Sequence, residues 1–468
     1  MSISETITKH KKTKFNVSTI GESLSDIRKG LWILALPAVG EMLLNTTVGM
    51  IDTAMVGRLG KEAVAAVGLA NRLINIILGA FMAITIGTTA MVARYFGAED
   101  QKKAADVLRQ SIITSVLFAL ILGIPSYFLA KPLMKLVVFT GDNLVFEGAA
   151  TYFRVMAASF IFLFLNLTAS GALRGAGDMY APLLVVSLTN IVNLIGNYFL
   201  IYGHGPFPCL GIYGAALATL ISRAVATLVY GYMLFSGRGG FRIDWRGGIK
   251  LSKEILAPVF KIGIPAAVEQ LVMRGGQFAY YFIIISLGTA AQAAHEVAIN
   301  AESISFNPGF GFALAATTMV GQFLGANKPD LALRSGKEAA KIAVVMMTLL
   351  GLCFFLFPAF FVKLFVPNDQ EVIDLASMCL KIVAFSEPFF AIVMVYAGAL
   401  RGAGDTLAVM VYTIIGVWFL RIGLAYLFAI VLGFGLEGAW WAMNIDIVAR
   451  CILLWHRFNS GKWRELTI

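Results

Sequence analysis

The octapeptide "GALRGAGD" occurs twice in this chain, at residues 171–178 and again at 398–405. The sequences that flank the two occurrences differ, so low complexity does not explain the repetition. A further match has nearly the same spacing, because "LPAVGEML" around Pro37 corresponds to "IPAAVEQL" around Pro265. Similarity that recurs at a fixed spacing indicates an internal duplication. The chain is therefore predicted to contain two copies of a unit of roughly 225 residues.

The composition indicates where these two copies reside. Hydrophobic residues make up 59% of the chain and charged residues 14%, whereas a soluble domain is nearer half apolar and a quarter charged. Apolar runs such as "ITSVLFALILGIPSYFLA" reach the length of about 20 residues that a helix needs to span a bilayer. The sequence therefore predicts a membrane protein, with the lipid bilayer as its environment.

Glycine, proline and charge clusters divide each copy into six apolar segments. The fold class predicted is an all-α polytopic membrane protein with 12 transmembrane helices. An even number of spans returns the chain to its starting side, so the two six-helix bundles form a parallel internal repeat about a pseudo-two-fold axis. The predicted helices are 31–57, 62–90, 104–130, 145–171, 181–202, 211–236, 254–286, 290–322, 332–360, 371–399, 407–432 and 436–458.

The repeat also predicts the domain organisation, with each lobe formed by one copy. The polar stretch between the copies contains glycine pairs and basic residues, which suit a flexible linker. The predicted segments are an amino tail (1–30), an N-lobe (31–236), a linker (237–253), a C-lobe (254–458) and a carboxyl tail (459–468).

Positive charge predicts the orientation in the membrane. Most of the 37 Lys and Arg residues fall in the tails and in the connections after every second helix, and cytoplasmic loops carry such an excess. Both termini are therefore expected in the cytoplasm, with the chain in the cytoplasmic (inner) membrane of the cell. The net charge of +10 is the same bias, so we expect no nucleic-acid partner.

Motifs for enzymatic chemistry are missing from the sequence. It contains no phosphate-binding loop, nucleophile elbow or zinc signature, and its four cysteines show no CxxC spacing. We therefore expect no enzyme activity, no cofactor and no metal beyond a possible Na⁺. Energy for any transport must come from an ion gradient or from a separate partner subunit.

The octapeptide itself is interpreted as a structural turn between two helices. Its glycines allow unusual backbone angles, and Asp178 and Asp405 are placed to cap the helices that follow. Arg174 and Arg401 are expected to bind exposed helix carbonyls. The turn therefore marks the duplication and is not predicted to be the transport site.

Polar residues at membrane depth are the candidate transport site, because a carboxylate there costs about 2.5–3.5 kcal/mol. Asp52 lies in the first helix. The fifth helix supplies amides at three- and four-residue steps, which share one face. These residues predict an oxygen cage for a monovalent cation or a pocket for a titrating carboxyl; the alternative is a polar clasp between helices. The amides of the fifth helix are Asn190, Asn193 and Asn197, and Asn166 of the fourth helix is expected to join them.

A second set of acids, which includes one residue of the first lobe and several of the second, suggests a substrate site or a second-lobe coupling site. Glu41 and Glu269 each lie four residues after the proline of their copy, so they occupy equivalent positions. Arg274 is expected to neutralise one acid of this set. The further acids are Glu296, Glu302 and Glu387.

The paired "RGAGD" turns and the segments "AVAAVGLANRL" and "SEPFFAIVMVYAGALRGAGDT" resemble the multidrug and toxic compound extrusion (MATE) family over about residues 30–455. The resemblance implies a V-shaped pair of six-helix bundles that exports organic, usually cationic, amphiphiles in exchange for Na⁺ or H⁺. It also implies that Asp52 is the helix-1 aspartate central to ion coupling.

Two positions depart from the family pattern. Asn197 stands where some members have an aspartate. Met273 stands where other members have the glutamate of the seventh helix, and Glu269 lies one turn earlier. The second-lobe role of that glutamate therefore does not transfer directly.

The predicted function is secondary active transport by alternating access. The chain is expected to act as a monomer that exports small organic drugs or metabolites, of cationic amphiphilic character, in antiport with H⁺ or Na⁺. The alternative is a flippase for a lipid-linked or amphiphilic precursor. A major-facilitator carrier is disfavoured because its charged signature between the second and third helices is missing, and a channel suits a duplicated fold less well.

Overall fold

A computed structural model describes residues 15–17, 21–136, 142–204, 207–237, 248 and 250–466. The predictions for the start of the amino tail, for most of the 237–253 linker and for the last two residues lie outside this part. All regular elements within it are helical.

The first copy of the repeat forms eight helices rather than six, because one predicted helix is broken in two and one short helix is added. Their bounds are α1 Leu24–Gly57, α2 Lys61–Gly97, α3 Gln101–Phe128, α4 Ala130–Lys135, α5 Asn143–Ala158, α6 Phe160–Gly175, α7 Tyr180–Tyr202 and α8 Gly211–Phe235.

The second copy has the single helix Gln370–Ala403 in the place of α5 and α6. Two π-helical segments, Ile415–Arg421 and Tyr426–Val431, interrupt the helix that begins at Thr406. Its helices are α9 Lys253–Ser286, α10 Thr289–Gly325, α11 Pro329–Leu356, α12 Pro358–Lys363, α13 Gln370–Ala403, α14 Thr406–Ile414, α15 Ile422–Ala425 and α16 Gly435–Asn459.

The predicted all-α membrane class is confirmed. In the described part of the chain, nine helices are long and apolar enough to cross a membrane, or ten if α5 and α6 form one bent span. Helices α10 and α16 do not meet that criterion, although both are at least 25 residues long. Both contain several ionisable residues, among them Glu296 and Glu302 in α10 and Asp446 and Arg450 in α16.

The helix predicted at 145–171 is broken rather than continuous. Its two parts, α5 and α6, meet at Ser159 with a bend of 52°. The Ser159 hydroxyl donates to Met156 O (2.7 Å) and accepts from Arg223 Nη1 (2.7 Å). A side chain that bonds the preceding turn and a neighbouring helix competes with the regular backbone ladder, which explains the break.

The helix predicted at 407–432 is also irregular, because it contains the two π-helical segments. Such segments insert an extra residue per turn and often occur at functional sites. The first one brings Gly416 against the side chains of Asp446 and Arg450, where an added methyl group would lie 2.2 Å from Asp446 Oδ1. Regular hydrophobic periodicity in the sequence gives no signal for this change of winding.

The contacts divide the chain into two compact units. Unit 1 contains Phe15 and the described residues of Gly40–Gly263, and unit 2 contains the described residues of Asn16–Val39 and Ile264–Ile468. The division therefore falls inside α1 and α9, whereas the lobe boundaries predicted from the sequence fall in loops. Those predicted boundaries stay a prediction.

Each unit has its own apolar core. In unit 1, the rings of Phe81 and Phe164 stack with their centroids 3.9 Å apart, and alanines of α2, α5 and α8 pack beside them. In unit 2, the fully buried Trp440 packs in a cluster with Tyr280 and Val383. These cores hold the polar residues of each unit in fixed positions.

The repeated octapeptide turns use one glycine each for backbone conformation. Gly177 has a φ of 84° and Gly404 a φ of 88°, a region that side chains with a Cβ rarely adopt. Asp178 Oδ1 accepts a hydrogen bond from Ala181 N (2.9 Å), as predicted for a helix cap. Asp405 instead accepts from Arg457 Nε (2.7 Å) and caps no backbone group with its side chain.

The other octapeptide glycines permit close helix packing. An added methyl group at Gly175 would lie 2.5 Å from Thr89 O, and one at Gly402 would lie 2.1 Å from Thr317 O. Both glycines are helical rather than part of the tight turn. In both units, therefore, the helix that ends in the octapeptide touches the backbone of a neighbouring helix.

Candidate functional site

Asp52 lies near the end of α1, beside two amides of α7. Asn197 Nδ2 donates to Asp52 Oδ1 (2.7 Å) and also to Asn193 Oδ1 (3.2 Å). Asn193 and Asn197 share a face because they are four residues apart in a helix, and both are buried. The structure thus brings together three of the residues singled out in the sequence.

The hydrogen bonds around Asp52 depend on the orientation of the Asn193 amide. Asn193 Nδ2 donates to Thr219 Oγ1 (3.2 Å), and Asn193 Oδ1 then faces the two carboxylate oxygens of Asp52 at 3.0 and 3.1 Å. Rotating the amide converts that contact into hydrogen bonds, because amide orientation is an assignment. The rotated NH₂ group, however, lies 3.2 Å from the NH₂ group of Asn197.

The hydroxyl of Thr219 takes part in both orientations. It donates to Ala215 O (3.0 Å) when it accepts from Asn193, and it lies 3.2 Å from the rotated Asn193 oxygen, to which it can donate instead. Asn197 Oδ1 is buried and accepts no hydrogen bond, so it is the oxygen of this group that is left for a proton or a cation.

A cavity of about 230 Å³ opens next to these residues within unit 1. This is room for an ion with several waters, since one water needs about 10–15 Å³ on the same measure. Sequence reasoning missed four of its polar wall residues, namely Thr53, Asn71, Tyr152 and Thr219. The polar residues that line it are Asp52, Thr53, Asn71, Tyr152, Asn197 and Thr219.

Within the described residues, no Lys or Arg pairs with Asp52. Arg223 of α8 is a cation in the same unit, four residues after Thr219, and it donates to Ser159 Oγ rather than to an acid. Tyr152 lies within electrostatic range of both Asp52 and Arg223. Asp52 is therefore a half-buried acid surrounded by amides and hydroxyls, which suits exchange of a positive charge.

Two of the predicted amides do not join this cluster. Asn166 Nδ2 donates to Arg223 O (2.9 Å), and Asn166 Oδ1 accepts from Thr227 Oγ1 (2.9 Å). Asn190 shares the α7 face but has no hydrogen-bond partner for its buried Nδ2. Asn166 therefore connects α6 to α8 by hydrogen bonds. For this residue the structure matches the alternative prediction, a polar clasp between helices.

Glu41 and Glu269 occupy equivalent ion pairs. Arg174 Nη2 lies 2.5 Å from Glu41 Oε1, and Arg401 Nη2 lies 2.5 Å from Glu269 Oε1. The expectation that these arginines only bind helix carbonyls was therefore incomplete. Arg274, which the sequence placed as a partner of an acid, forms no ion pair in the described structure, and its buried Nε has no hydrogen-bond partner.

The remaining second-lobe candidates are dispersed. Glu387 of α13 is buried and accepts from Ser305 Oγ (2.6 Å), and Glu302 of α10 is buried within its electrostatic range. Glu296 is exposed on α10, and Met273 is half-buried on α9. Only Glu302 and Glu387 among these four form a buried pair of acids.

Unit 2 also contains a buried charge cluster that sequence reasoning missed. Arg421 Nε donates to Asp446 Oδ2 (2.9 Å), and Arg450 donates to both Asp446 oxygens (2.7 and 2.8 Å). We name Arg421, Asp446 and Arg450 the unit 2 triad. The four-residue spacing of Asp446 and Arg450 signals a pair on one helix face, but nothing in the sequence links them to Arg421.

Comparison with known proteins gives consistent matches. The MatE family model matches residues 37–199 and 265–427. A probable multidrug resistance protein NorM of Thermotoga maritima is 32% identical over 457 residues, which cover 96% of this chain and 95% of the relative. An uncharacterized transporter YisQ of Bacillus subtilis is 28% identical and covers 95% and 97% of the two chains.

Solved structures agree with these relatives. An outward-facing conformation of a multidrug resistance MATE family transporter of the MOP superfamily superimposes with a TM-score of 0.85 at 26% identity, covering 93% and 97% of the two chains. A MOP superfamily transporter from Pyrococcus furiosus, described as having a binding pocket of reverse polarity, superimposes with a TM-score of 0.86 at 26% identity, covering 94% and 97%. With a family match in each copy of the repeat, this chain belongs to the MATE family of membrane transporters.

Proposed function

We propose that this chain exports organic molecules of cationic amphiphilic character in antiport with H⁺ or Na⁺, and that the ion binds at Asp52. The export of drugs is suggested by relatives named multidrug resistance proteins. The single observation that supports the ion site is the carboxylate of Asp52 itself, which faces amides and a cavity of about 230 Å³ and pairs with no Lys or Arg among the described residues.

Occupancy at Asp52 can be linked to the direction in which the transporter opens. A carboxylate without a positive partner is costly to hold away from water, whereas a protonated or cation-bound one is not. If the ion and the cargo favour different states of the transporter, inward movement of the ion down its gradient drives outward movement of the cargo. This is alternating access with Asp52 as the switch.

The same residues accommodate either coupling ion. A proton on Asp52 turns the contact with Asn193 Oδ1 into a hydrogen bond. A Na⁺ ion would be held by oxygens, as hard cations are, and the chain offers those of Asp52, Asn193, Asn197 and Thr219. The partnerless Asn197 Oδ1 fits that donor set.

The membrane setting completes the proposal. We propose a monomer in the cytoplasmic (inner) membrane with both termini in the cytoplasm, because the basic residues cluster in the corresponding connections. Cysteines placed singly in the 237–253 linker should react with a membrane-impermeant reagent only from the cytoplasmic side. Labelling from outside would contradict this orientation.

Ethidium transport in everted membrane vesicles tests the function. Wild type should move ethidium into the vesicles when the concentration of H⁺ or of Na⁺ is made higher inside the vesicles than outside. A gradient of one of the two ions should suffice. Asp52→Asn keeps the shape of the side chain and removes its charge, so it should insert normally and lose the gradient-driven component. Transport by wild type that ignores both gradients would refute the proposal.

Arg274 favours a second candidate, a flippase for an anionic lipid-linked precursor. It is a half-buried cation in α9 with no acid partner among the described residues, and such a group at membrane depth is a functional hypothesis. Under the main proposal, Arg274→Gln leaves ethidium export unchanged. Under the second, wild type does not export ethidium, and Arg274→Gln abolishes movement of a fluorescent undecaprenyl-phosphate analogue.

A further inference from the structure

The two copies place different groups at equivalent positions. The octapeptides are offset by 227 residues, whereas the family matches begin at residues 37 and 265 and end at 199 and 427, an offset of 228 at both ends. With this offset, Asp52 corresponds to Tyr280, and Asn193 corresponds to Arg421. Tyr280 and Arg421 lie within electrostatic range of each other in unit 2, as Asp52 and Asn193 are neighbours in unit 1.

Unit 2 fills the space that unit 1 leaves open. Val67 lines the unit 1 cavity, and its equivalent is His295. The His295 ring centroid lies 5.7 Å from that of Tyr280 and 5.6 Å from that of the fully buried Trp440. Aromatic rings therefore take the place of the cavity, and no exchangeable ion needs to enter there.

Arg421 supplies the positive charge in this packed interior. Its guanidinium is held by Asp446 at 2.7 and 2.9 Å, and Asp446 is also held by Arg450. Glu302 of α10 lies within electrostatic range of Arg421 and forms no ion pair among the described residues. Arg421 thus pairs with an acid of α16 and lies near a second acid on α10.

We propose that Arg421 is a tethered counterpart of the coupling ion: in unit 2 its guanidinium takes the position that unit 1 keeps for an exchangeable cation. This inference rests on the proposed function of Asp52. It follows that unit 2 keeps its charge through the transport cycle and that one ion is exchanged per cycle, at unit 1. It also follows that removal of the Arg421 charge creates a second site, which takes a proton or a small monovalent cation.

Ion counting in purified protein tests this proposal. The measured quantities are bound ²²Na⁺ and protons taken up on titration, per folded monomer in detergent. Asp52→Asn should lose the single ion of wild type. In that background, Arg421→Gln should restore one bound ion, and the matched control Arg421→Lys, which keeps the cation, should restore none.

The outcomes separate the two hypotheses. If Asp52→Asn keeps its ion, the proposed function of Asp52 fails, whatever Arg421 does. If folded Asp52→Asn/Arg421→Gln binds no more ions than Asp52→Asn alone, the tethered-cation proposal is overturned. A purely structural clasp would lower stability in Arg421→Gln without any gain of ion binding.

A smaller side chain provides an independent test that does not need a folded Arg421→Gln. Arg421→Ala leaves room for a free guanidinium ion, so guanidinium chloride at low millimolar concentration should raise the unfolding temperature of Arg421→Ala and not that of wild type. Urea, which has a similar shape and no charge, should have no such effect. Equal responses of the variant and wild type to guanidinium would contradict the proposal.

Discussion

The two units differ in the surroundings of their acids. In unit 1, the half-buried Asp52 faces amides, a hydroxyl and a cavity, and no Lys or Arg pairs with it in the described structure. In unit 2, Asp446 is closed in by Arg421 and Arg450, and aromatic rings occupy the neighbouring space. We propose that the same duplicated scaffold holds one acid for exchange and the other in ion pairs. A fold carries the function that its individual sites provide.

Features that the units share serve the structure instead. The ion pairs Glu41–Arg174 and Glu269–Arg401 are equivalent, as are the tight turns at Gly177 and Gly404. The ion pairs and turns that both copies share thus hold each bundle together. We place ion coupling at Asp52, a residue that has no equivalent acid in the second copy.

The largest expected effect is the loss of the acid in the unit 2 triad. Asp446→Asn leaves Arg421 and Arg450 buried without their acid, and breaking a buried pair in this way costs about 3–5 kcal/mol. Asp52→Asn removes a charge without stranding another, so its unfolding temperature should match or exceed that of wild type. Thermal unfolding in detergent compares the two variants. A similar loss of stability in both would erase the distinction between the units.

Next in size is the effect of filling a helix contact. Gly402→Ala and Gly175→Ala both force backbone atoms apart, and overpacking costs typically about 1–3 kcal/mol. Gly402→Ala should be the more destabilising, because its added methyl group meets Thr317 O at 2.1 Å rather than 2.5 Å. Thermal unfolding gives the comparison.

The matched controls for this pair are glycines with open space around them. Gly231→Ala in unit 1 and Gly423→Ala in unit 2 meet nothing within 4 Å. Both should be neutral or slightly stabilising, because alanine favours helix more than glycine does. A loss in the controls equal to that in Gly402→Ala would show that the helix contact is not the cause.

A smaller difference is expected at the start of the third helix of each copy. Asp100 Oδ1 accepts from Lys103 N (2.9 Å) and caps α3, whereas the equivalent Lys328 gives α11 no side-chain cap. Asp100→Ala should cost about 1 kcal/mol, and Lys328→Ala should change stability by no more than about 0.5 kcal/mol. Thermal unfolding at neutral pH measures both.

The cap at Asp100 also predicts a pH dependence. The hydrogen bond from Lys103 N lowers the pKa of the Asp100 carboxyl below its ordinary value. A lowered pKa in the folded state means that the stabilisation is complete above the ordinary pKa and is lost as the pH falls through the lowered one. The difference between wild type and Asp100→Ala should therefore shrink in acid. A difference that grows in acid would contradict the assignment.

The smallest effect is expected for a shared ion pair. Arg174→Lys keeps the charge opposite Glu41 and loses only the geometry of the guanidinium, so the loss of stability should be smaller than in Asp446→Asn, which strands two cations. Growth inhibition by a panel of cationic drugs should show an unchanged order of resistance. An altered order in well-expressed Arg174→Lys would place this pair in the cargo path.

The sequence predicts the repeat, the helices and part of the site because each depends on local spacing. Asn193 and Asn197 fall on one helix face whatever the tertiary structure, and the octapeptide reports the duplication directly. Their contact with Asp52 could not be predicted in the same way, because it depends on which faces of α1 and α7 pack together.

The missed features depend on contacts between distant segments. Tyr152 and Thr219 line the cavity only because α5 and α8 pack beside α1. Arg421, at the end of a π-helical segment, contacts Asp446 of another helix. The break at Ser159 likewise depends on Arg223, which lies in a different helix. Periodicity cannot report such pairings, because it describes one helix at a time.

The central claim is that ion coupling resides at Asp52 in unit 1 rather than at the buried acids of unit 2. Purified Asp52→Asn and Glu387→Gln are compared in proteoliposomes under an imposed gradient of the coupling ion, with ethidium as cargo. The account predicts that Asp52→Asn falls to the level of protein-free liposomes and that Glu387→Gln keeps its dependence on the gradient. Wild-type transport by Asp52→Asn, together with loss of coupling in Glu387→Gln, would move the site to unit 2 and contradict the account.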